Sequence, residues 1–349
     1  MSGGWGAPVT VNLLTGFLGS GKTSLLKRLL SLPSLADTAV LINEFGEVGL
    51  DHLLVEEVDE EVVLLKSGCV CCTIRGDLRD AIGGLLGKMR RGEVPAFSRL
   101  VIETTGLADP APIVATLQAE PSLRHHVRLG NVVTVVDAVD GLRNLDSFPE
   151  ALRQAAVADR IVVSKTDLAS MDAIDALERR LHELNPTALL HRSDMESAAP
   201  ELLLLQDVHD LEGRSAEVRR WLVAETSHAV AEHGHHQVDR SRHGEIRAFC
   251  LTAEEPVDWA SFGLWLTMLL NRHGSEILRV KGLLDIAGVE RPVVVQGVQH
   301  TVHRPEHLER WPDAPRTRLV VIARSLEPAL VERSFRAFLG LTVRTPATA

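Results

Sequence analysis

Eight residues near the start of the chain have the types and the order of a phosphate-binding loop. They are Gly-Phe-Leu-Gly-Ser-Gly-Lys-Thr at positions 16–23, and they match the pattern G-x-x-x-x-G-K-[ST] in full. Glycines let successive backbone N–H groups turn toward a phosphate, the lysine reaches the outer phosphates, and the threonine hydroxyl can bind Mg²⁺. The bland alternative is a glycine-rich turn that opens a helix. We expect a nucleotide to contact Gly16, Gly19, Ser20, Gly21, Lys22, Thr23 and Ser24.

Three cysteines stand within four residues, at Cys69, Cys71 and Cys72. Adjacent cysteines would form a strained disulfide, whereas three thiolates this close in sequence can bind a soft metal ion. Zn²⁺ fits best, and three protein ligands leave one tetrahedral position open, which suits a metal ion that is passed on. The alternatives are buried, inert thiols or a redox pair. Cys250 lies inside an apolar run, and we predict that it belongs to the core.

The segment Glu103-Thr-Thr-Gly106 follows a short apolar, β-prone run at residues 99–102. In nucleotide hydrolases with a phosphate loop, an acidic residue at the end of such a strand holds Mg²⁺ or its water. A nearby glycine N–H can contact the γ-phosphate and sense its loss. We therefore predict that Glu103 and Gly106 act at the nucleotide, on a loop that can move with the glycine.

A second polar segment, residues 164–167, follows an apolar run at 160–163. Guanine presents two adjacent N–H donors that the carboxylate of Asp167 can accept together, whereas adenine presents an acceptor in that place. The aliphatic stem of Lys165 can lie along the base. The segment therefore favours GTP as the nucleotide. Glu44, Glu47 and Asp51 are further candidates for the magnesium or metal site, although a polar turn explains them equally well.

The elements that must position these residues alternate between apolar strands and amphipathic helices up to about residue 205. Strands are predicted at residues 9–14, 38–42, 62–65, 99–102, 131–137, 160–163 and 188–191. This alternation predicts an α/β fold, namely a doubly wound and mostly parallel sheet, over residues 1–211.

A smaller α+β domain is predicted over residues 245–344, with an antiparallel sheet and helices on one face. Its predicted strands are 246–251, 277–284, 292–296 and 318–323, and its helices are 259–272 and 327–339. The sequence predicts a linker at 212–244, which contains His228, His233, His235, His236 and His243 together with Glu232 and Asp239. This linker either collects divalent metal weakly or is simply solvated. We interpret His300, His303 and His307 as surface residues.

The composition indicates a globular protein with a large core. Of the 349 residues, 45% are hydrophobic and 24% are charged, and the formal net charge is −10. This acidic balance argues against nucleic acid or an anionic membrane as a partner. The first residues lack the pattern of a signal peptide, and the longest apolar run is too short to cross a bilayer. We therefore expect a cytoplasmic protein with reduced cysteines.

Five motifs together resemble those of the CobW-type GTPases, a family of the SIMIBI class. They are the residues at 16–23, Asn-Glu-Phe-Gly-Glu at 43–47, Gly-Cys-Val-Cys-Cys-Thr at 68–73, Glu-Thr-Thr-Gly-Leu-Ala-Asp-Pro at 103–110 and Ser-Lys-Thr-Asp at 164–167. Residues 277–282 and 295–297 resemble the C-terminal domain of the family, so the resemblance covers nearly the whole chain.

The resemblance implies a GTP-dependent metallochaperone or metalloenzyme activator that delivers zinc, or in some relatives cobalt or iron, to a client metalloprotein. It implies that phosphates bind Gly19, Gly21, Lys22 and Thr23, that Glu103 and Gly106 sense the γ-phosphate, that Lys165 and Asp167 bind guanine, and that Cys69, Cys71 and Cys72 bind zinc. Ser164, which we include in the nucleotide site, replaces the asparagine that GTPases most often carry. This departure lowers the expected selectivity for guanine without abolishing it.

Lys22, Glu103 and Gly106 are the residues that we predict to serve hydrolysis, with Mg²⁺ on Thr23. The sequence offers no obvious arginine finger or catalytic glutamine, so slow turnover is expected without a partner. The expected assembly is a monomer or a weak homo-oligomer. Two other functions fit the same motifs. One is a phosphotransferase that acts on a small substrate, and the other is a passive zinc buffer.

Overall fold

The computed structural model describes residues 7–42, 55–59, 62–65, 70–73, 78–193, 202–205 and 246–340. The chain divides into two compact units. One contains residues up to 210 except 182–187, and the other contains 182–187 and the residues from 211 onward. Within the described residues, no helix is long and apolar enough to span a membrane.

A single sheet organises the first unit. Its strands within the described residues are β1 (Val9–Gly16), β2 (Thr38–Ile42), β3 (Val55–Asp59), β4 (Val62–Leu65), β5 (Val70–Thr73), β6 (Arg99–Glu103), β7 (Val127–Asp137), β8 (Arg160–Ser164) and β9 (Leu189–Arg192). They lie in the order β3-β4-β5-β2-β6-β1-β7-β8-β9. Every adjacent pair from β5 to β9 is parallel, whereas β4 runs antiparallel to both β5 and β3. The predicted, mostly parallel sheet is confirmed.

All residues of β1, β2 and β8 are buried, so both faces of this sheet are covered, as in other parallel sheets flanked by helices. The helices of the unit are α1 (Lys22–Leu30), α2 (Leu78–Arg91), α3 (Ala111–Ala119), α4 (Gly141–Ser147), α5 (Pro149–Val157), α6 (Met171–Leu184) and α7 (Leu202–Leu205). One core cluster joins the leucines of α1 and α7 to alternate residues of the central strands, including Leu14, Val101 and Val133. This packing fixes the loops that leave the carboxyl ends of the strands.

The second unit has an antiparallel sheet, as predicted. It consists of β10 (Ile246–Ala253), β11 (Ile277–Leu284), β12 (Val293–Val298), β13 (Thr301–Val302), β14 (Glu306–His307) and β15 (Thr317–Arg324), in the order β10-β15-β11-β12-β13, with β14 paired to β12. Two helices, α8 (Trp259–His273) and α9 (Pro328–Phe338), pack on it through Phe262, Trp265 and Phe335.

Some boundaries differ from the predicted ones, and short strands were missed. Strand β7 begins at Val127, four residues before the predicted start, because Val127, Arg128 and Leu129 pair with the first residues of β1. Strands β3, β5, β13 and β14 were not predicted, since two to five residues carry too little periodicity to be recognised.

The prediction for Cys250 is wrong. Its side chain is exposed, because β10 is an edge strand of the second sheet and the helix-facing residues of that strand are Leu251 and Ala253. The surface interpretation agrees with the structure for His300 and His307, which are exposed, whereas His303 is half-buried.

Candidate functional site

The phosphate-loop motif connects β1 to α1, which is the context that the motif requires. Strand β1 ends at Gly16 and the helix begins at Lys22. Gly16, Gly19 and Gly21 have φ angles of 144°, 72° and 91°, which favour glycine over any other residue. A Cβ atom on Gly16 would lie 2.3 Å from the backbone oxygen of Val135. The loop can therefore keep this shape only with glycine at that position.

The lysine of the motif folds over the loop. Its Nζ atom donates hydrogen bonds to the backbone oxygens of Gly16 at 2.9 Å and Phe17 at 3.1 Å, and only 9% of the residue is exposed. The backbone N–H groups of a loop at a helix N-terminus attract anions, and Lys22 adds a full positive charge at the same place. The combined field favours a polyphosphate.

Thr23 and Glu103 meet although they are 80 residues apart in the sequence. The hydroxyl of Thr23 donates a hydrogen bond of 2.6 Å to Oε1 of Glu103, which is 95% buried at the end of β6. Both groups are hard oxygen donors of the kind that Mg²⁺ prefers. The residues present therefore fit the magnesium ion that the motif implies.

Gly106 lies against the phosphate loop. A Cβ atom on Gly106 would come within 2.7 Å of the backbone nitrogen of Leu18. The preceding residue Thr104 is tied to β1, since its N–H donates to the oxygen of Leu14 and its hydroxyl donates to that of Thr15. The loop after β6 is thus held beside the phosphate loop.

The segment at 164–167 joins the same site from the other side. The hydroxyl of Ser164 donates a hydrogen bond of 2.6 Å to the backbone oxygen of Ser20, inside the phosphate loop. Ser164 therefore anchors this segment to the loop, although it replaces the more usual asparagine. The hydroxyl of Ser20 is itself buried and has no hydrogen-bond partner among the described residues.

Lys165 is held in a conformation that non-glycine residues rarely adopt. Its φ angle is 55°, and its ammonium group forms an ion pair with the buried carboxylate of Asp137. This pairing fixes the stem of the lysine, while Asp167 stays exposed in the short turn that follows. A backbone held in an uncommon region often marks a functional site.

Sequence reasoning did not assign a role to Asp137. The residue ends β7, directly beside Ser164 at the end of β8, and Oδ1 of its carboxylate also accepts the N–H of Val139 at 2.7 Å. The available sign was an acidic residue at the end of a parallel strand, the same feature that indicated Glu103. Its partner 28 positions later could not be inferred from spacing.

The cysteine motif lies two strands away from Glu103. Glu103 of β6 pairs in register with Ile42 of β2, and Ile42 pairs with Thr73 of β5. Strand β5 therefore lies two strand spacings, or about 10 Å, from β6. Cys72 is the residue before Thr73, the position in β5 that is in register with Glu103. Cys71 is also in β5, whereas Cys69 lies outside the described residues.

The remaining predicted site residues fall outside the part of the chain that the structure describes. They are Glu44, Glu47 and Asp51, together with the whole His-rich linker. Within the described part, no three histidine, cysteine or acidic side chains form a cluster that could hold a metal ion. The zinc ligands therefore remain a prediction from the sequence.

Both units match known domain families. Residues 10–192 match the model of the CobW/HypB/UreG nucleotide-binding domain, and residues 246–339 match that of the cobalamin synthesis protein CobW C-terminal domain.

Several relatives match this protein over almost the entire chain. The zinc chaperone YjiA of Escherichia coli is 32% identical over 329 residues, which cover 94% of this chain and 98% of that protein. The zinc chaperone CobW of Pseudomonas aeruginosa is 31% identical over 370 residues, covering 96% and 92% of the two chains. The crystal structure of Zn(II)-bound YjiA GTPase from E. coli superposes with a TM-score of 0.70 at 28% identity, covering 95% and 99%. The chain therefore belongs to the CobW/HypB/UreG family and carries the CobW C-terminal domain as well.

Proposed function

We propose that this protein is a GTP-dependent metallochaperone, which hydrolyses GTP and transfers zinc to a client metalloprotein. The relatives that span the chain are named zinc chaperones, and the related crystal structure is that of a zinc-bound GTPase. The observation that carries the proposal is the register of the sheet. Through Ile42, the strand that bears Cys71 and Cys72 stands next but one to the strand that ends in Glu103.

The phosphate side of the mechanism rests on four residues. Lys22 binds the outer phosphates, and Thr23 with Glu103 holds Mg²⁺, which supplies positive charge to the phosphate oxygens. The N–H of Gly106, beside Leu18 of the phosphate loop, contacts the γ-phosphate. Hydrolysis removes that contact and releases the loop after β6.

Guanine recognition rests on the opposite end of the site. Asp167 accepts the two N–H donors of the base, and the stem of Lys165, whose ammonium group is paired with Asp137, lies along the base. Ser164 keeps this segment in register with the phosphate loop through the oxygen of Ser20. The exposure of Asp167 leaves its carboxylate open to a ligand.

Zinc is the cargo and binds the thiolates of Cys69, Cys71 and Cys72, with Co²⁺ or Fe²⁺ as alternatives. Only strand β2 lies between β6, which precedes the γ-phosphate loop, and β5, which carries Cys71 and Cys72. A change in the conformation of that loop can therefore affect β5 through one intervening strand. Metal affinity thereby becomes a function of the bound nucleotide. The client protein accepts the metal in a state in which the thiolates hold it less tightly.

A zinc competition titration tests this proposal. The affinity of the whole protein for Zn²⁺ is measured with a chromophoric chelator, in the presence of GDP or of a non-hydrolysable GTP analogue. We expect the two nucleotides to change the affinity by about 5- to 150-fold relative to each other, the usual range for coupled sites. Equal affinities would defeat the coupling.

Two variants separate this proposal from its rivals. Lys22→Ala removes a charge that pairs with phosphate, so it should abolish the nucleotide effect and leave the basal affinity for zinc intact. Lys27→Ala, on the exposed side of the same helix, is the matched control and should change neither. A passive zinc buffer predicts zinc uptake that no nucleotide alters in the unmodified protein. A phosphotransferase predicts that Cys71→Ser leaves phosphate transfer to a small substrate intact.

A cytoplasmic location and a monomeric or weakly oligomeric state, as predicted from the sequence, belong to the same proposal. Both agree with a protein that meets its client transiently. Size-exclusion chromatography with light scattering, run with each nucleotide in turn, measures the oligomeric state.

A further inference from the structure

Helix α5 carries a buried glutamine whose side chain reaches the loop after β6. Gln154 has no exposed surface. Its Nε2 atom donates hydrogen bonds to the backbone oxygens of Gly106 at 3.2 Å and Ala108 at 3.0 Å. One side chain therefore holds two residues of the segment in which we place the γ-phosphate sensor.

The orientation of this amide follows from its partners. Both groups that it meets are carbonyl oxygens, which can only accept hydrogen bonds, so the NH₂ end of the amide must face them. Gly106 is itself buried, and leaving its oxygen without a donor would cost free energy. The position of the loop is thus tied to the position of a single amide group.

Two further contacts link the same helix to the site. Arg153, the neighbour of Gln154, forms an ion pair of 3.2 Å with Asp109 in the same loop. Phe148, the residue just before α5, stacks on Phe17 of the phosphate loop with the ring centroids 4.6 Å apart. Helix α5 consequently touches the phosphate loop at its start and the loop after β6 along its length.

The backbone of Gln154 is also held by a strand of the sheet. The hydroxyl of Thr134 in β7 donates a hydrogen bond of 2.8 Å to the backbone oxygen of Gln154. Thr134 is buried in a central strand of the sheet, so this contact supports the helix from a rigid element. The amide therefore projects toward the loop from a fixed base.

We infer that Gln154 is a positioning residue, which holds the segment from Gly106 to Asp109 in the conformation that receives the γ-phosphate. This inference rests on the proposed GTP-dependent function. A loop that is already ordered loses less conformational entropy when the γ-phosphate binds it, so pre-organisation strengthens GTP binding. GDP lacks the γ-phosphate and does not engage Gly106. The amide thus contributes to the distinction between GTP and GDP rather than to nucleotide binding in general.

The test compares the affinities of the full chain for a non-hydrolysable GTP analogue and for GDP. Gln154→Met keeps the length of the side chain and removes both donors, and Gln154→Glu replaces the NH₂ group with oxygen that the two carbonyls repel. Each variant should weaken binding of the analogue about 5- to 20-fold, within the range expected for the loss of donors to buried carbonyls, and leave GDP affinity unchanged. The ratio of the two affinities is the readout, because a merely structural defect would weaken both.

Gln118→Met is the matched control, because it makes the same chemical change at a half-buried glutamine near the end of α3, outside the loop after β6. Its affinity ratio should equal that of the unmodified protein. Should Gln154→Met fail to fold, Arg153→Met, which loses the partly exposed ion pairs to Asp109 and Glu150, must shift the ratio in the same direction by a smaller factor. An unchanged ratio in folded Gln154 variants would overturn the inference alone. Failure of the unmodified protein to bind guanine nucleotides would overturn the proposed function and the inference with it.

Discussion

At the scale of single residues, the candidate nucleotide site combines two lysines whose side chains are held by other groups with an aspartate whose side chain is exposed. Lys22 is held by two backbone oxygens, and Lys165 is paired with Asp137, so the two cations of the site have defined positions. Asp167 is exposed, so its carboxylate is open to a ligand. Selectivity for the base should therefore depend on Asp167 more than on either lysine.

Replacing Asp167 with asparagine tests this assignment. The amide offers one acceptor and one donor where guanine needs two acceptors, so one N–H group of the base would face another N–H. We expect the affinity for GTP to fall by roughly 5- to 150-fold, as for other bidentate contacts to a base edge. The affinity for ATP should not fall. Displacement of a fluorescent guanine nucleotide measures both.

Asp172→Asn is the matched control for that substitution. Asp172 is an exposed aspartate in the first turn of α6, five positions further along the chain. The change removes the same charge without touching the predicted base site, so its GTP affinity should match that of the unmodified protein. A comparable loss in both variants would mean that Asp167 acts through general charge and not through the base.

At the scale of elements, the turn from β1 into α1 depends on a backbone that only glycine permits. Gly16 has φ 144°, and a Cβ atom there would collide with the oxygen of Val135 in the neighbouring strand β7. The atom that this Cβ would meet belongs to the backbone of β7, so it cannot move aside without displacing the strand. The tight approach of β7 is what places Asp137 and Ser164 next to the phosphate loop.

Gly16→Ala should therefore destabilise the first unit by about 1–3 kcal/mol, the usual effect of overpacking in a filled core, and weaken nucleotide binding. Gly84→Ala is the matched control, because Gly84 lies in the middle of α2 on its exposed side, and a Cβ atom there would have no neighbour within 4 Å. That change should stabilise the helix by roughly 0.5–1 kcal/mol. Urea unfolding followed by circular dichroism measures both. A stable Gly16→Ala protein with normal affinity would show that the loop does not need this geometry.

At the scale of the whole molecule, the sheet places the strand that carries Cys71 and Cys72 two positions from the strand that ends in Glu103. Successive parallel strands end at the same edge, and the register places Leu14, Glu103, Ile42 and Thr73 in one row across β1, β6, β2 and β5. In the proposed function, phosphate groups at one end of that row and the thiolates predicted to bind zinc near the other are separated by only a few strands. A coupling between them needs no long pathway.

Coupling between binding sites is reciprocal, which gives a second and independent measurement. If the GTP analogue changes the affinity for Zn²⁺ by a given factor relative to GDP, buffered Zn²⁺ must change the preference for the analogue over GDP by the same factor. Isothermal titration with each nucleotide, at saturating zinc and at zinc removed by a chelator, measures this. Unequal factors would mean that the two measurements do not report one coupled equilibrium.

The sequence by itself determined most of the elements and the motifs of the nucleotide-binding domain. The phosphate-loop pattern predicted the β1 to α1 turn, and the acid at the end of an apolar run predicted Glu103, because such local patterns carry their own physical reason. Long central strands were predicted well, since a buried strand of five or more residues is continuously apolar. Family membership, predicted from the five motifs, is confirmed.

Only the tertiary structure decided which distant residues meet. The pairs Thr23–Glu103, Lys165–Asp137 and Gln154–Gly106 are separated by 80, 28 and 48 positions, and their contact depends on the order of strands in the sheet. Cys250 was misassigned for the same reason, because an apolar run does not reveal whether its strand lies at the centre or the edge of a sheet. Local sequence fixes periodicity and turns, whereas strand order depends on non-local packing that no single segment encodes.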